Sequence, residues 1–162
     1  MKPKSGKIKK RHELLELLTE FKQNNLKLVW TNGCYDILHA GHVLYLQQAR
    51  AAGDVLVVGL NSDDSIRRVK GPQRPIIPED QRAIVLAALE CVDYIIIFSE
   101  PSPLDIIAEL EPDVYAKGGD YTVDTVNQPE RRLVESYGGD ILLIPGVEGM
   151  STTEIIRRIR ES

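Results

Sequence analysis

The sequence predicts an α/β protein: a doubly wound, five-stranded parallel sheet with one extra helix ahead of the first strand. Two observations carry this. Five short aliphatic runs occur at LKLVW (26–30), DVLVVGL (54–60), CVDYIIIF (91–98), PDVYAK (112–117) and DILLIP (140–145). They read as continuous apolar stretches rather than as alternating ones, which marks strands covered on both faces. Between and after them lie segments of helical periodicity at 41–52, 78–90, 103–111, 128–137 and 151–160, and strands that alternate with helices build a parallel sheet.

The extra helix is HELLELLTEFKQ (12–23), which presents Leu14, Leu17, Leu18 and Phe21 on one face as a packing stripe. KGPQRPIIP (70–78) and KGGDYTVDTVNQPE (117–130) read as loops from their glycines and prolines. The sequence contains no internal repeat and no low-complexity linker. The expected organisation is a basic, flexible arm over 1–11 and a single domain over 12–162.

The chain has 162 residues and 43% hydrophobic content, enough for one sizeable core. Its formal net charge of -4 argues against a general nucleic-acid or membrane-surface binder, which needs a broad excess of Lys and Arg. The opening MKPKSGKIKKR holds six of the twenty basic groups and reads as a solvated arm. Two cysteines, Cys34 and Cys91, in a chain able to build its core without staples fit a reducing compartment. No apolar run has signal-peptide or membrane-span length. The expected location is the cytoplasm.

In an open parallel sheet, ligands bind beyond the carboxyl ends of the strands, where the strand order reverses. The polar loops fall there: TNGCYD after the first strand, NSDDS after the second, KGGDY after the fourth and GVEGMSTTE after the fifth. Together they carry Thr31, Asn32, His39, His42, Lys117, Asp120, Ser151, Thr152 and Thr153, a rim rich in phosphate-binding groups.

Within that rim, HAGH (39–42) stands where a strand gives way to a helix. A helix starting near residue 40 offers unpaired N–H groups and the positive end of its dipole, worth about 0.3–2 kcal/mol to an anion. His39 and His42 add imidazole donors, and Gly41 leaves room for a phosphate to approach the backbone. Two other readings stand beside this one. A histidine at a helix start often serves only as a cap or a solvated residue, and Cys34, Asp36, His39 and His42 all carry metal-ligand atoms. The C-x4-H-x2-H spacing matches no usual zinc pattern, however, and no second cluster completes a site. Neither G-x-x-x-x-G-K-[ST] nor G-x-G-x-x-G is present. In EGMSTTEIIRRI (148–159), Ser151 or Thr152 reads as an N-cap with Glu154 completing a capping box. The same hydroxyls at a second helix start suit the distal phosphates of a nucleotide.

TNGCYDILHAGH, with KGGDY and EGMSTTEII, resembles the H-x-G-H nucleotidyltransferases, and within them the adenylyltransferases that make ADP-heptose from D-glycero-β-D-manno-heptose 1-phosphate. The resemblance runs from about residue 12 to the C-terminus. It implies a Rossmann-like nucleotidyltransferase fold, ATP and a sugar 1-phosphate as partners, Mg²⁺ accompanying ATP without dedicated metal ligands, a homodimer, and a product that feeds lipopolysaccharide core assembly. Many members carry this domain behind a sugar kinase; a chain that starts at Met1 resembles the stand-alone form. Cytidylyltransferases acting on glycerol 3-phosphate are relatives with an R-T-E-G-I-S-T-T motif. Here Gly146 and Val147 stand at its first two positions, which weakens that reading. A non-catalytic nucleotide-binding regulator is the remaining alternative.

By the same resemblance, His39 and His42 contact the α-phosphate, and Lys70 is a mobile lysine that closes over the phosphates. Arg82 meets the triphosphate from the following helix. Thr31, Asn32 and Tyr35 line the entrance, Gly33 belongs with the nucleotide- and phosphate-binding residues, and Gly41 admits the phosphates. Lys117 belongs to the phosphate-binding rim, Gly118 and Asp120 face the nucleotide, and Ser151, Thr152 and Thr153 hold the distal phosphates. Nucleotidyl transfer needs no covalent nucleophile, which leaves Cys34 without a catalytic part.

Overall fold

The computed structural model describes residues 6–119, 121–147 and 149–162. Its strands are β1 (Leu28–Gly33), β2 (Val55–Asn61), β3 (Tyr94–Phe98), β4 (Val114–Gly118) and β5 (Asp140–Ile144). They form one sheet in the order β3-β2-β1-β4-β5, every neighbouring pair parallel. The helices are α1 (Arg11–Gln23), α2 (Ala40–Arg50), α3 (Asp63–Lys70), α4 (Glu79–Ala87), α5 (Leu104–Leu110), α6 (Gln128–Ser136) and α7 (Thr152–Glu161). The order reverses between β1 and β4, which makes the ends of those two strands the switch point.

Period-two alternation along each strand divides the core into two layers. Val29, Leu56, Val58, Leu60, Val114 and Ala116 face one layer with Leu46 and Ala49 of α2 and Ala83 and Leu86 of α4. Leu28, Trp30, Val55, Val57 and Tyr115 face the other with Leu14, Leu18 and Phe21 of α1 and Ile106, Ile107 and Leu110 of α5. Helices on both faces explain why the strands read as unbroken apolar runs.

Two expectations need correction. Residues 63–70 form α3, where the sequence pattern predicts no element and a loop beginning at Lys70. DDSIRRVK is polar almost throughout, with Ile66 buried, and is held by other means. Ser62 caps the helix by accepting from the Ser65 N–H at 3.1 Å, acidic residues occupy its first turn, and basic residues occupy its last. Part of the proposed arm is also built into the sheet edge. Ile8 bridges Ile95 in parallel, with Lys9 N donating to Ile95 O at 2.8 Å and Ile95 N to Lys7 O at 2.9 Å. The Lys7 ammonium donates to Leu89 O at 2.9 Å.

Arg82 also departs from expectation. Its side chain is 0% exposed and is used up within the fold. Nε donates to Ile77 O at 2.9 Å, Nη1 to Cys34 O at 2.6 Å and Asn61 O at 2.9 Å, and Nη2 to Asp63 at 2.7 Å. This guanidinium ties the ends of β1 and β2, the start of α3 and the loop before α4 together, and has no face left for a triphosphate. Arg82→Leu leaves several buried carbonyls and Asp63 without their donor. It should cost about 3–5 kcal/mol, read as a lowered midpoint in urea unfolding.

Candidate active site

β1 and β4 pair over Val29–Val114 and Trp30–Tyr115, and beyond those rungs side chains span the gap. The Tyr45 hydroxyl, from α2, donates to Ala116 O at 3.0 Å and meets Thr31 Oγ1 at 2.5 Å. A methyl group on Gly118 would lie 2.5 Å from the Tyr45 ring, so glycine is what lets the ring pass between the strand ends. One step further along, Lys117 Nζ donates to Asn32 Oδ1 at 3.2 Å. Thr31 is therefore fully buried behind Tyr45 and does not line the entrance as expected.

Anchoring Tyr45 sets the start of α2 at the switch point. His39 is the N-cap residue, in extended conformation, and its side chain caps no backbone group. The first turn of α2 carries no acidic residue, leaving the positive end of its dipole unopposed. The His39 and His42 rings stack with centroids 3.9 Å apart, and the Tyr35 ring meets His42 edge-on at 5.3 Å. A methyl group on Gly41 would come within 3.0 Å of the His39 ring and 3.2 Å of Met150 Cβ. A side chain here would therefore crowd His39 and Met150, and the glycine itself lines a cavity.

Burial lowers the His39 pKa. It pushes His42 down to about 4, with His39 and Lys70 adding to the effect. Both imidazoles are neutral near pH 7 in the free protein. Each has a buried Nδ1 with no hydrogen-bond partner.

Two cavities meet at this point. The first, of about 460 Å³, is lined by Asn32, Gly33, Tyr35, Lys117 and Glu130 among others. The second, of about 300 Å³, is lined by His39, Gly41, Gly146, Val147 and the run Ser151, Thr152 and Thr153. His42, Lys70 and Gly118 line both and form the boundary. Volumes of this order suit small-molecule ligands. Lys70, the last residue of α3, is the one Lys or Arg among the described residues lining the second cavity, beside Gly146 where a related motif has arginine.

At the far wall, Ser151 is the N-cap of α7 and accepts from the Glu154 N–H at 3.1 Å. Glu154 turns outward to Arg157 and Arg158, which hold its pKa at about 2, so only half of the expected capping box forms. Asp120 lies outside the described residues. Among the described residues, no group of three or more His, Cys, Asp or Glu could hold a metal ion. Asp36, one of the candidate ligands, is otherwise engaged. It accepts from Arg74 at 2.6 Å and from the Ile76 and Ile77 N–H groups at 2.8 and 2.9 Å. Burial alone would raise its pKa, but the Ile77 and Ile76 N–H groups and Arg74 outweigh that and keep the carboxylate ionised.

Sequence reasoning missed three participants. Tyr45 looks like an ordinary helix residue, and Asp36 gave no sign that it would clamp the loop after α3. Glu130, in QPERR, reads as surface yet is 3% exposed at the edge of the first cavity. No local pattern distinguishes such residues from exposed ones.

The lowered His42 pKa has a consequence for stability. Between about pH 6.5, the ordinary value, and pH 4 the unfolded chain takes up a proton that the folded chain refuses, so stability is full above this window and is lost as pH falls through it. An anion at the boundary reverses the preference and favours the imidazolium. Calorimetric titration of ATP near pH 5.5, in buffers of differing ionisation enthalpy, should show more proton uptake by the native chain than by His42→Gln. Equal uptake would separate His42 from the phosphates.

The cytidylyltransferase-like family matches residues 30–158. The chain is 56% identical to the bifunctional protein HldE of Pelobacter propionicus over 96% of its own length and 32% of that protein, and 55% identical to the HldE of Syntrophotalea carbinolica over 95% and 31%. It spans about a third of the length of these curated relatives. Among solved structures, the lipopolysaccharide core biosynthesis protein of Thermoplasma volcanium superposes with a TM-score of 0.61 at 28% identity, covering 75% of this chain and 97% of that one. The pantoate-beta-alanine ligase of Francisella tularensis, at 15% identity and a TM-score of 0.56 over 96% of this chain and 78% of its own, shares the fold. With a family match that takes in both cavities, the histidine pair and the start of α7, the chain belongs to the cytidylyltransferase-like family.

Proposed function

We propose that this chain transfers AMP from Mg·ATP to D-glycero-β-D-manno-heptose 1-phosphate, giving ADP-heptose and pyrophosphate. The observation that carries the reading is the shared boundary: His42, Lys70 and Gly118 line both cavities, so substrates held on either side meet at the histidine pair. The second cavity, with its helix start and hydroxyl run, suits the nucleotide. The first suits the acceptor. The heptose assignment rests on the resemblance of TNGCYDILHAGH and KGGDY to the heptose branch, supported by the similarity to bifunctional HldE proteins.

In this reading an acceptor phosphate oxygen forms a bond to the α-phosphorus while the bond from that phosphorus to the pyrophosphate oxygen breaks. The acceptor phosphate has a second pKa of about 6 and is already ionised near pH 7, so no strong general base is required. His39 and His42, neutral in the free protein, donate N–H bonds to the α-phosphate and the bridging oxygen, and the N–H groups at the start of α2 add to them. Lys70 spans acceptor and donor phosphates. Mg²⁺ arrives with ATP as part of the co-substrate, neutralising the triphosphate and the departing pyrophosphate. A cytoplasmic homodimer belongs to the same reading through family resemblance. Among the described residues, no helix is long and apolar enough to cross a membrane.

Pyrophosphate release from a panel crossing ATP, CTP and GTP with heptose, hexose and glycerol phosphates tests the assignment. ATP with the heptose 1-phosphate should be fastest; CTP with glycerol 3-phosphate outrunning every heptose pair would overturn it. His39→Ala should lower kcat by about 10²–10³ with ATP affinity kept within a few-fold. A regulator without chemistry would have no turnover to lose.

A further inference from the structure

The part of the first cavity that the second does not share has a chemistry of its own. The Lys117 side chain is 13% exposed, and among the described residues its one hydrogen bond goes to Asn32 Oδ1 at 3.2 Å. Glu130 Oε2 stands 3.9 Å from the ammonium, near enough to balance its charge and too far to accept a hydrogen bond. Both oxygens of Glu130 are already engaged: Oε1 accepts from Ser102 Oγ at 2.8 Å and Oε2 from the Tyr115 hydroxyl, which also lies 3.3 Å from Asn32 Oδ1. An ammonium has three N–H donors, so two remain for whatever fills the cavity. Asn32, with Oδ1 engaged, has its amide donors left.

We infer that this part is the subsite for the sugar ring of the acceptor, where Lys117 and Asn32 donate to ring hydroxyls and Glu130 is a positioning residue that holds Lys117 in place. The inference rests on the nucleotidyl-transfer reading and specifies how the acceptor lies. The charge pattern sets the direction. Lys70, His42 and the start of α2, the groups suited to phosphate, cluster at the boundary with the second cavity. In the unshared part Lys117 is paired with Glu130, so the wall is polar without net charge, and a phosphate dianion there would face a carboxylate. Neutral hydroxyls fit such a wall; the acceptor lies with its phosphate at the boundary and its ring over Lys117.

The test varies acceptor and ATP separately in the pyrophosphate assay on the full chain. Lys117→Met keeps the aliphatic stem and removes the donors. It should raise the acceptor KM about 10- to 100-fold, the range for losing a charged hydrogen bond, with the ATP KM within about twofold. Deoxy analogues of the sugar phosphate should raise KM similarly on the unaltered chain, and the two losses should not add. That series decides even where the variant does not fold.

Glu130→Gln separates positioning from general structure. The titratable groups facing Lys117 are Glu130 from α6, Tyr115 from its own strand, Cys34 after β1, and Tyr121. Burial lowers the Lys117 pKa and Glu130 opposes that, so without the carboxylate the ammonium loses its proton more readily. The rise of acceptor KM with pH should begin at lower pH in Glu130→Gln than in the native chain. A raised ATP KM with unchanged acceptor KM, or deoxy acceptors used as well as the parent, would overturn the subsite. A native chain that uses no sugar phosphate at all would instead overturn the functional reading.

Discussion

The site depends on a tyrosine wedged into a parting sheet. β1 and β4 separate after Trp30 and Tyr115, and the Tyr45 hydroxyl replaces the next rung by joining Thr31 to Ala116 O. Parallel strands that part at a switch point expose backbone groups, and a buried polar group without a partner is costly, about 1–3 kcal/mol. Tyr45 answers that demand and, being one turn past His42, fixes α2 against the strand ends. The direction of the histidine pair, and hence the boundary between the cavities, follows from that contact.

Electrostatics then divides the crevice. The boundary gathers groups that an anion would favour: an uncompensated helix start, a lysine, and two imidazoles kept neutral by burial. The unshared part of the first cavity gathers a paired ammonium and carboxylate with neutral hydroxyl and amide groups. The two regions are a few residues apart in the sequence, since Asn32 precedes His39 by less than two helical turns of chain. Their separation in chemistry comes from β4 and α6, which bring Lys117 and Glu130.

Two buried charged residues hold this division in place from behind. Arg82 satisfies carbonyls at the ends of β1 and β2, and Asp36 satisfies N–H groups of the loop that follows Lys70. Both make several hydrogen bonds apiece, the condition under which a buried charge is tolerated. Lys70 is therefore the end of a capped helix, followed by a clamped loop. That geometry lets one lysine line both cavities.

The sheet, most of the helices and the address of the site were legible in the sequence, because they rest on local patterns: apolar runs, helical periodicity, and polar loops after strands. HAGH and the hydroxyl run of α7 were legible for the same reason, being short motifs at helix starts. α3 was not, since its stability comes from capping and charge order rather than an apolar stripe. The parts of Arg82, Thr31, Tyr45 and Glu130 were decided only by tertiary structure. An arginine, a threonine or a glutamate looks the same in sequence whether it faces water or a buried partner, and those partners are contributed by strands and helices tens of residues away.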